Sequence, residues 1–502
     1  MKKRVLVVGG GLGGMSAAIS LASRGYAVTV VEKNDKLGGK LNVLKQEGFT
    51  FDLGPSILTL PHYFEALFAM SGKRMADYVK IVPVSPHWRN FFEDGRVVDL
   101  YKDDADMARE LKKLPRVAGS SDADLHFKEY RRFLDYAKVQ FDIVERGYFA
   151  KGLDDLWDFL KFYGVFNLGL KIDHRRTMAQ SIDRHFSSPY LKDIFEYFIK
   201  YVGSSALNAP GYMNLMPIIQ TEFDLWYVEG GMYNLARALE RLMGELGIVV
   251  KLGREVVRLE SGSGLLQSGV LDGGERVEAD FVVSNMEVVP AYRKLLGESD
   301  GFMKSFDKFE PACSGIVIHL GTKKKYPQLA HHNFFFSKQQ HKHFRTVFDE
   351  RKLPEDPTIY LVAPTRTDPS QAPEGCDNIK VLPHIPHIDP KNPYTVDDYA
   401  KLKDRVLDKL ERMGLTDLRK NTIVEDFWTP FDIEKKYYSN RGSIYGVVSD
   451  WKKNYGFKAP KRSKKYKNLY FVGGSVNPGG GMPMVALCGQ NVANMIVSDD
   501  RP

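Results

Sequence analysis

The chain of 502 residues has room for two to four structural units of about 150 residues each, which rules out a mini-protein or a disordered tail. Hydrophobic residues make up 43% and charged residues 27%, the composition of a globular chain with a buried core. The formal charge of +8 suits an anionic partner only if it is concentrated somewhere, and three scattered cysteines without CxxC or Cys/His spacing argue against a disulfide framework and a metal site. The basic start runs into only four apolar residues, 5–8, before glycines take over, too few for a signal peptide. No run of 18 apolar residues predicts a spanning helix, so the bulk of the chain is expected in the cytoplasm.

Residues 3–8 predict a buried strand. GGGLGG follows at 9–14, a G-x-G-x-x-G pattern in Gly9, Gly11 and Gly14 with Gly10, Leu12 and Gly13 between. A helix over 15–24 closed by Gly25 and a strand over 27–31 come next, and Glu32 stands 18 residues after Gly14, the spacing of a βαβ dinucleotide unit. Gly9 permits the tight turn, Gly11 the approach of a pyrophosphate, and Gly14 close helix–strand packing, while the helix N-terminus offers unpaired N–H groups to an anion. Glu32 suits a free ribose hydroxyl and disfavours a 2′-phosphate; Lys33 is counted with it.

LGGK at 37–40 resembles the GG motif of FAD-binding oxidoreductases. The resemblance implies FAD, with Gly38 and Gly39 admitting its phosphates and Lys40 neutralising them. Residues 49–56 predict a strand leading into a tight loop, Gly54-Pro55, able to face an isoalloxazine ring. Residues 106–201 turn helical. Within them, 156–170 crowd Trp157, Phe159, Phe162, Tyr163 and Phe166 together, as in a core helix or one lying at a membrane interface.

A strand over 223–231 and a helix over 233–246 lead to short strands at 249–252, 255–259, 270–272 and 281–285. These predict a small meander over the adenine, with Val256 lending its backbone. Strands at 315–320, 358–362 and 378–382 amid loops predict a substrate-facing sheet. His331 and His332 are expected on opposite faces of a strand, unable to share a metal, with one left near the flavin. A strand over 468–472, a glycine loop over 473–481 and a helix from Met482, opened by Pro483, make a second anion-stabilising corner from Gly473, Gly474, Gly481, Met482 and Met484. Aimed at the flavin N1/C2 carbonyl, it would favour the negative charge of a reduced flavin. Cys488 reads as a small core residue.

GGGLGG with Glu32, LGGKLN, FDLGPSIL and LYFVGGSVNPGGGMPM resemble the carotenoid desaturase/oxidase family of FAD enzymes related to bacterial phytoene desaturase, over essentially the whole chain. FIKYVGSS (198–205), LWYVEGG (225–231), VVSNMEVVP (282–290), residues 319–336, VLPHIP (381–386) and NRGSIYGVVSD (440–450) resemble the members that act on C30 carotenoids. The resemblance implies a lipophilic C30 polyene substrate whose terminal methyl group is oxidised to an aldehyde. An allylic hydride can leave to oxidised flavin because the resulting cation is delocalised, so no side-chain base is required and no catalytic residue is named. A dehydrosqualene desaturase shares these motifs; a polyene-binding membrane protein without catalysis is the alternative from another class.

The expected fold is α/β, a Rossmann-like FAD-binding domain in segments 1–105, 223–295 and 431–502. The inserted substrate domain combines a helical region, 106–222, with a mixed sheet, 296–430. The charge surplus lies in residues 451–467, WKKNYGFKAPKRSKKYK, with eight basic residues and no acid. With a water-insoluble substrate this segment is expected to meet an anionic membrane at the inner face of the cell membrane, rather than nucleic acid.

Overall fold

A computed structural model describes residues 2–501, the side chains of residues 165–170 excepted; Phe166 of the interfacial-helix expectation therefore lies outside the described residues. Arg4–Val8 and Ala27–Glu32 pair in parallel, joined by the helix Leu12–Ala22. They sit in a five-stranded parallel sheet ordered 469–471, 281–284, 4–8, 27–32, 249–252. Such strands are covered on both faces, and Val5, Leu6, Val7, Val282 and Val283 are accordingly buried. Val249–Leu252, expected in the meander, is instead the edge strand of this sheet; the meander itself is Val256–Gly262, Leu265–Leu271 and Arg276–Glu278.

The second large sheet has eight strands, ordered Thr422–Trp428, Val317–Thr322, Asp377–Ile385, Ile359–Val362, His332–Phe335, Trp88–Phe91, Val97–Leu100, with Ser314–Gly315 beside Asp377–Ile385. The sequence placed 84–100 with the flavin domain. The structure moves it across, because Trp88–Phe91 pairs in parallel with His332–Phe335 and the Trp88 ring stacks on Phe198 at 4.0 Å and meets Phe334 at 4.7 Å. Helices Leu125–Val144, Met178–His185 and Pro189–Glu196 pack on this side. On the other side lies Val396–Arg412, started by a capping box between Thr395 and Asp398 and burying Tyr399, Leu402, Val406 and Leu410. The sequence reading missed this helix in a stretch taken for strands and loops.

The last helix, Met482–Asp499, lies alongside the first. A Cβ on Gly489 would stand 2.6 Å from both the Ala17 nitrogen and the Gly13 oxygen, and the Ser16 hydroxyl donates to the Ala486 carbonyl at 2.5 Å. Both helices therefore point their N-termini into the same region.

Among the described residues no helix is long and apolar enough to cross a membrane. The basic segment is not the uniformly solvated cationic loop that its composition suggests. Lys458 and Lys461 are buried, Lys461 donating to the Gly152 carbonyl at 2.9 Å and pairing with Asp154. Lys453, Arg462 and Lys465 are ion-paired with Glu310, Asp499 and Glu298. Lys452, Lys464 and Lys467 are left exposed. Lys461→Met is expected to destabilise the fold by about 3–5 kcal/mol, since it leaves Asp154 unpaired. Lys464→Gln is expected to stay within about 0.5 kcal/mol; thermal denaturation of the two variants checks the contrast.

Candidate functional site

A cavity of about 430 Å³ opens between the two sheets' domains. Of the residues singled out in the sequence, Gly9, Gly11, Leu12, Gly13, Glu32, Lys33, Gly38, Gly39, Lys40, Gly54, Pro55, Val256, Gly473, Gly474, Gly481, Met482 and Met484 line it. Gly10 and Gly14 do not. A Cβ on Gly10 would collide with Leu37, and one on Gly14 with the Gly9 carbonyl, so both serve packing just behind the wall.

The lining fits FAD by its backbone. A Cβ on Gly11 would lie 2.6 Å from Asn285 Oδ1, and one on Gly39 would lie 2.9 Å from the Gly11 Cα, so the two glycine turns touch and present bare peptide to the cavity. Glu32 Oε2 accepts the Gly10 N–H at 2.7 Å and Oε1 the Asn34 N–H at 2.9 Å. A carboxylate has about four lone-pair positions, so Glu32 retains capacity for a ribose hydroxyl. The helix starting at Leu12 and the one capped by Gly481, whose φ of 106° suits glycine, bring two sets of unpaired N–H groups to the same cavity.

Two sequence expectations are corrected. Lys40 does not offer its ammonium to phosphates: it donates to the carbonyls of Ser443 at 3.1 Å and Ile444 at 3.0 Å and pairs with Glu287 at 3.5 Å. Burial lowers its pKa and raises that of Glu287, and their mutual attraction opposes both shifts. Neither His331 nor His332 lines the cavity. His331 precedes the strand His332–Phe335, so alternation does not separate the two rings, which stand 4.3 Å apart. Their Nδ1 atoms bond the hydroxyls of Thr367 at 2.7 Å and Tyr360 at 3.0 Å.

Several residues of the site were missed in the sequence. Lys380, from the centre of an apolar strand, donates to the Asp52 carbonyl at 3.1 Å, to Ser56 Oγ at 2.8 Å and to the Gly54 carbonyl, and so holds the loop that carries Gly54 and Pro55. Burial brings it down to about 8 and pushes Asp52 up to about 6. A lysine inside NIKVL was the available signal. Lys200 is buried against the cavity and, among the described residues, its ammonium has no hydrogen-bond partner; its Nζ lies 3.8 Å from the ring centres of both Trp88 and Phe334, and burial drives its pKa well down. Beyond the flavin residues the wall is largely apolar and aromatic, with Ile57, Tyr201, Met213, Ile219, Leu382 and Ile444.

The profile of the family described as flavin containing amine oxidoreductase matches residues 12–497. The chain belongs to that family. It is 57% identical to a 4,4'-diapolycopene oxygenase of Methylomonas sp and 51% identical to a 4,4'-diaponeurosporene oxygenase of Staphylococcus aureus (strain USA300), in each case over 99% of this chain and 98% of the relative. Among solved structures it resembles an oxidoreductase from Methanosarcina mazei, with a TM-score of 0.64 at 16% identity over 98% of this chain and 100% of that one. A putrescine oxidase with redesigned cofactor binding superposes with a TM-score of 0.62 at 15% identity over 100% of both chains. The architecture is thus the α/β fold of this family, and the chain is an FAD-dependent oxidoreductase. Glu32→Ala is expected to weaken FAD retention about ten- to a hundredfold, through loss of charge-assisted hydrogen bonds worth about 1.5–3 kcal/mol; fluorescence of the flavin released on dilution measures it.

Proposed function

We propose that the chain oxidises the terminal methyl group of a linear C30 polyene to an aldehyde, in the manner that the names of its 57% and 51% identical relatives indicate for diapolycopene and diaponeurosporene. The observation that carries this reading is a single cavity in which the glycine turns of the flavin site and a long apolar, aromatic wall are continuous. When bound, FAD supplies the two-electron acceptor for hydrogen from an allylic carbon. The chain's own residues bind and orient. The apolar wall takes the polyene out of water, Lys380 fixes the loop of Gly54 and Pro55, and the N-terminus of Met482–Asp499 favours negative charge beside it.

The same reading brings the protein to a membrane, where a polyene dissolves. Its support is the helix Leu156–Lys171, with Leu156, Trp157 and Phe162 exposed by 58%, 71% and 43%, and Tyr455 nearby exposed by 63%. Phe159 of this helix packs at 5.6 Å against Tyr148, which lines the cavity, and at 5.0 Å against Phe457. Aromatic residues suit the headgroup level, and Lys151, Lys161 and Lys171 stand exposed around them for anionic lipid. These exposed apolar residues now carry this proposal in place of the basic segment.

Holoenzyme supplied with a C30 polyene in liposomes is expected to yield a product heavier by about 14 Da per oxidised end; a product lighter by about 2 Da per step would mean desaturation instead. Serine at Leu156, Trp157 and Phe162 together is expected to reduce cosedimentation with anionic liposomes about tenfold or more without loss of bound flavin. Unchanged cosedimentation would remove the membrane contact from the proposal.

A further inference from the structure

Three sequence stretches outside the glycine turns, 198–205, 381–386 and 440–450, each contribute residues to the cavity wall. Tyr445 comes from the last. Its backbone is anchored to the C-terminal glycine loop: a Cβ on Gly480 would lie 2.5 Å, and one on Gly474 3.0 Å, from the Tyr445 carbonyl oxygen. Its half-buried side chain lines the cavity beside Ile444 and Leu382. The hydroxyl lies 3.4 Å from His384 Nε2, and His384 Nδ1 lies 3.1 Å from the hydroxyl of Tyr197.

The direction of these bonds follows from counting protons. His384 is 3% exposed and burial pushes its pKa down to about 3, so its ring is neutral, with one nitrogen donating and one accepting. Tyr197 is 1% exposed, and among the described residues its hydroxyl has no partner but His384. If Tyr445 donated to Nε2, Nδ1 would donate to Tyr197, and the Tyr197 proton would be buried without an acceptor. With Tyr197 donating to Nδ1, Nε2 donates to the Tyr445 oxygen, and no buried hydroxyl proton is left unpaired. The Tyr445 proton is then free to turn into the cavity.

The hydrocarbon substrate has nothing to accept that hydrogen bond. Its oxidised end does. Conversion of a methyl group to an aldehyde removes four electrons, and the primary alcohol is the stage two electrons short of the product. We propose that the Tyr445 hydroxyl, set by His384 and Tyr197, donates a hydrogen bond to the oxygen of the half-oxidised polyene end and holds it for the second oxidation, so that aldehyde rather than alcohol is released. This inference rests on the terminal-methyl reading above.

The test compares wild type, Tyr445→Phe and Tyr197→Phe as holoenzymes of matched flavin content. Wild type is expected to release aldehyde. Tyr445→Phe is expected to release alcohol, raising the alcohol-to-aldehyde ratio about tenfold whatever its rate of hydrocarbon consumption, the effect of one lost hydrogen bond. Without turnover, under exclusion of oxygen and with the flavin reduced, its affinity for the C30 alcohol is expected to fall about tenfold while its affinity for the hydrocarbon stays the same. Tyr197→Phe, remote from the cavity, removes the hydroxyl that fixes the imidazole tautomer, so either ring nitrogen can carry the proton, and is expected to shift the partition in the same direction by a smaller factor. It also serves as the test if Tyr445→Phe fails to fold. Wild-type partition and alcohol affinity in the variants overturn the role of Tyr445 and leave the reaction standing; a wild-type enzyme that forms no oxygenated product overturns the reaction itself.

Discussion

The flavin site depends on peptide backbones approaching one another with no side chain between them. The first and last helices lie together because Gly489 leaves room for the backbone of Gly13 and Ala17, and the two glycine turns meet because Gly11 and Gly39 are bare on their facing sides. This contact gathers the two helix N-termini at one cavity. The resulting field is a property of aligned peptide dipoles and survives any rearrangement of surface charge. It also explains the share of glycines that line nothing: Gly10 and Gly14 keep the approach close from the second row.

Buried and half-buried lysines do a second structural task. Lys40 reaches the carbonyls of Ser443 and Ile444, Lys380 those of Asp52 and Gly54, Lys409 those of Phe336 and Pro357, and Lys461 that of Gly152. Loops around a cavity have carbonyl groups that no strand or helix satisfies, and an ammonium with three donors on a long stem can tie several of them at once. Part of the chain's basic surplus is therefore internal bonding rather than surface potential.

The nucleotide unit was legible because its signals are local: a strand, a glycine turn, a helix and a terminal acid follow one another within 32 residues. The substrate sheet was less so. Trp88–Phe91 lies far in sequence from its partner His332–Phe335, and its composition does not say which sheet it joins. Val396–Arg412 carried a readable T-x-x-D cap, but the loops before it drew the stretch toward strands. Lys40 and the 451–467 cations were misjudged for a shared reason, since the carboxylates and carbonyls that hold them are hundreds of residues away for most of them. Tyr445 was legible as part of a motif and illegible as a donor, because its orientation is set by His384 and Tyr197 from other segments.

The five-stranded sheet takes its central strand from residues 4–8 and an edge from residues 469–471. The two halves of the cofactor cleft are thus contributed by segments about 460 residues apart in sequence, so a chain made in order carries one long before the other. A chain cut short before residue 469 keeps the nucleotide strand and the first glycine turn but has neither the edge strand nor the helix that closes the cleft.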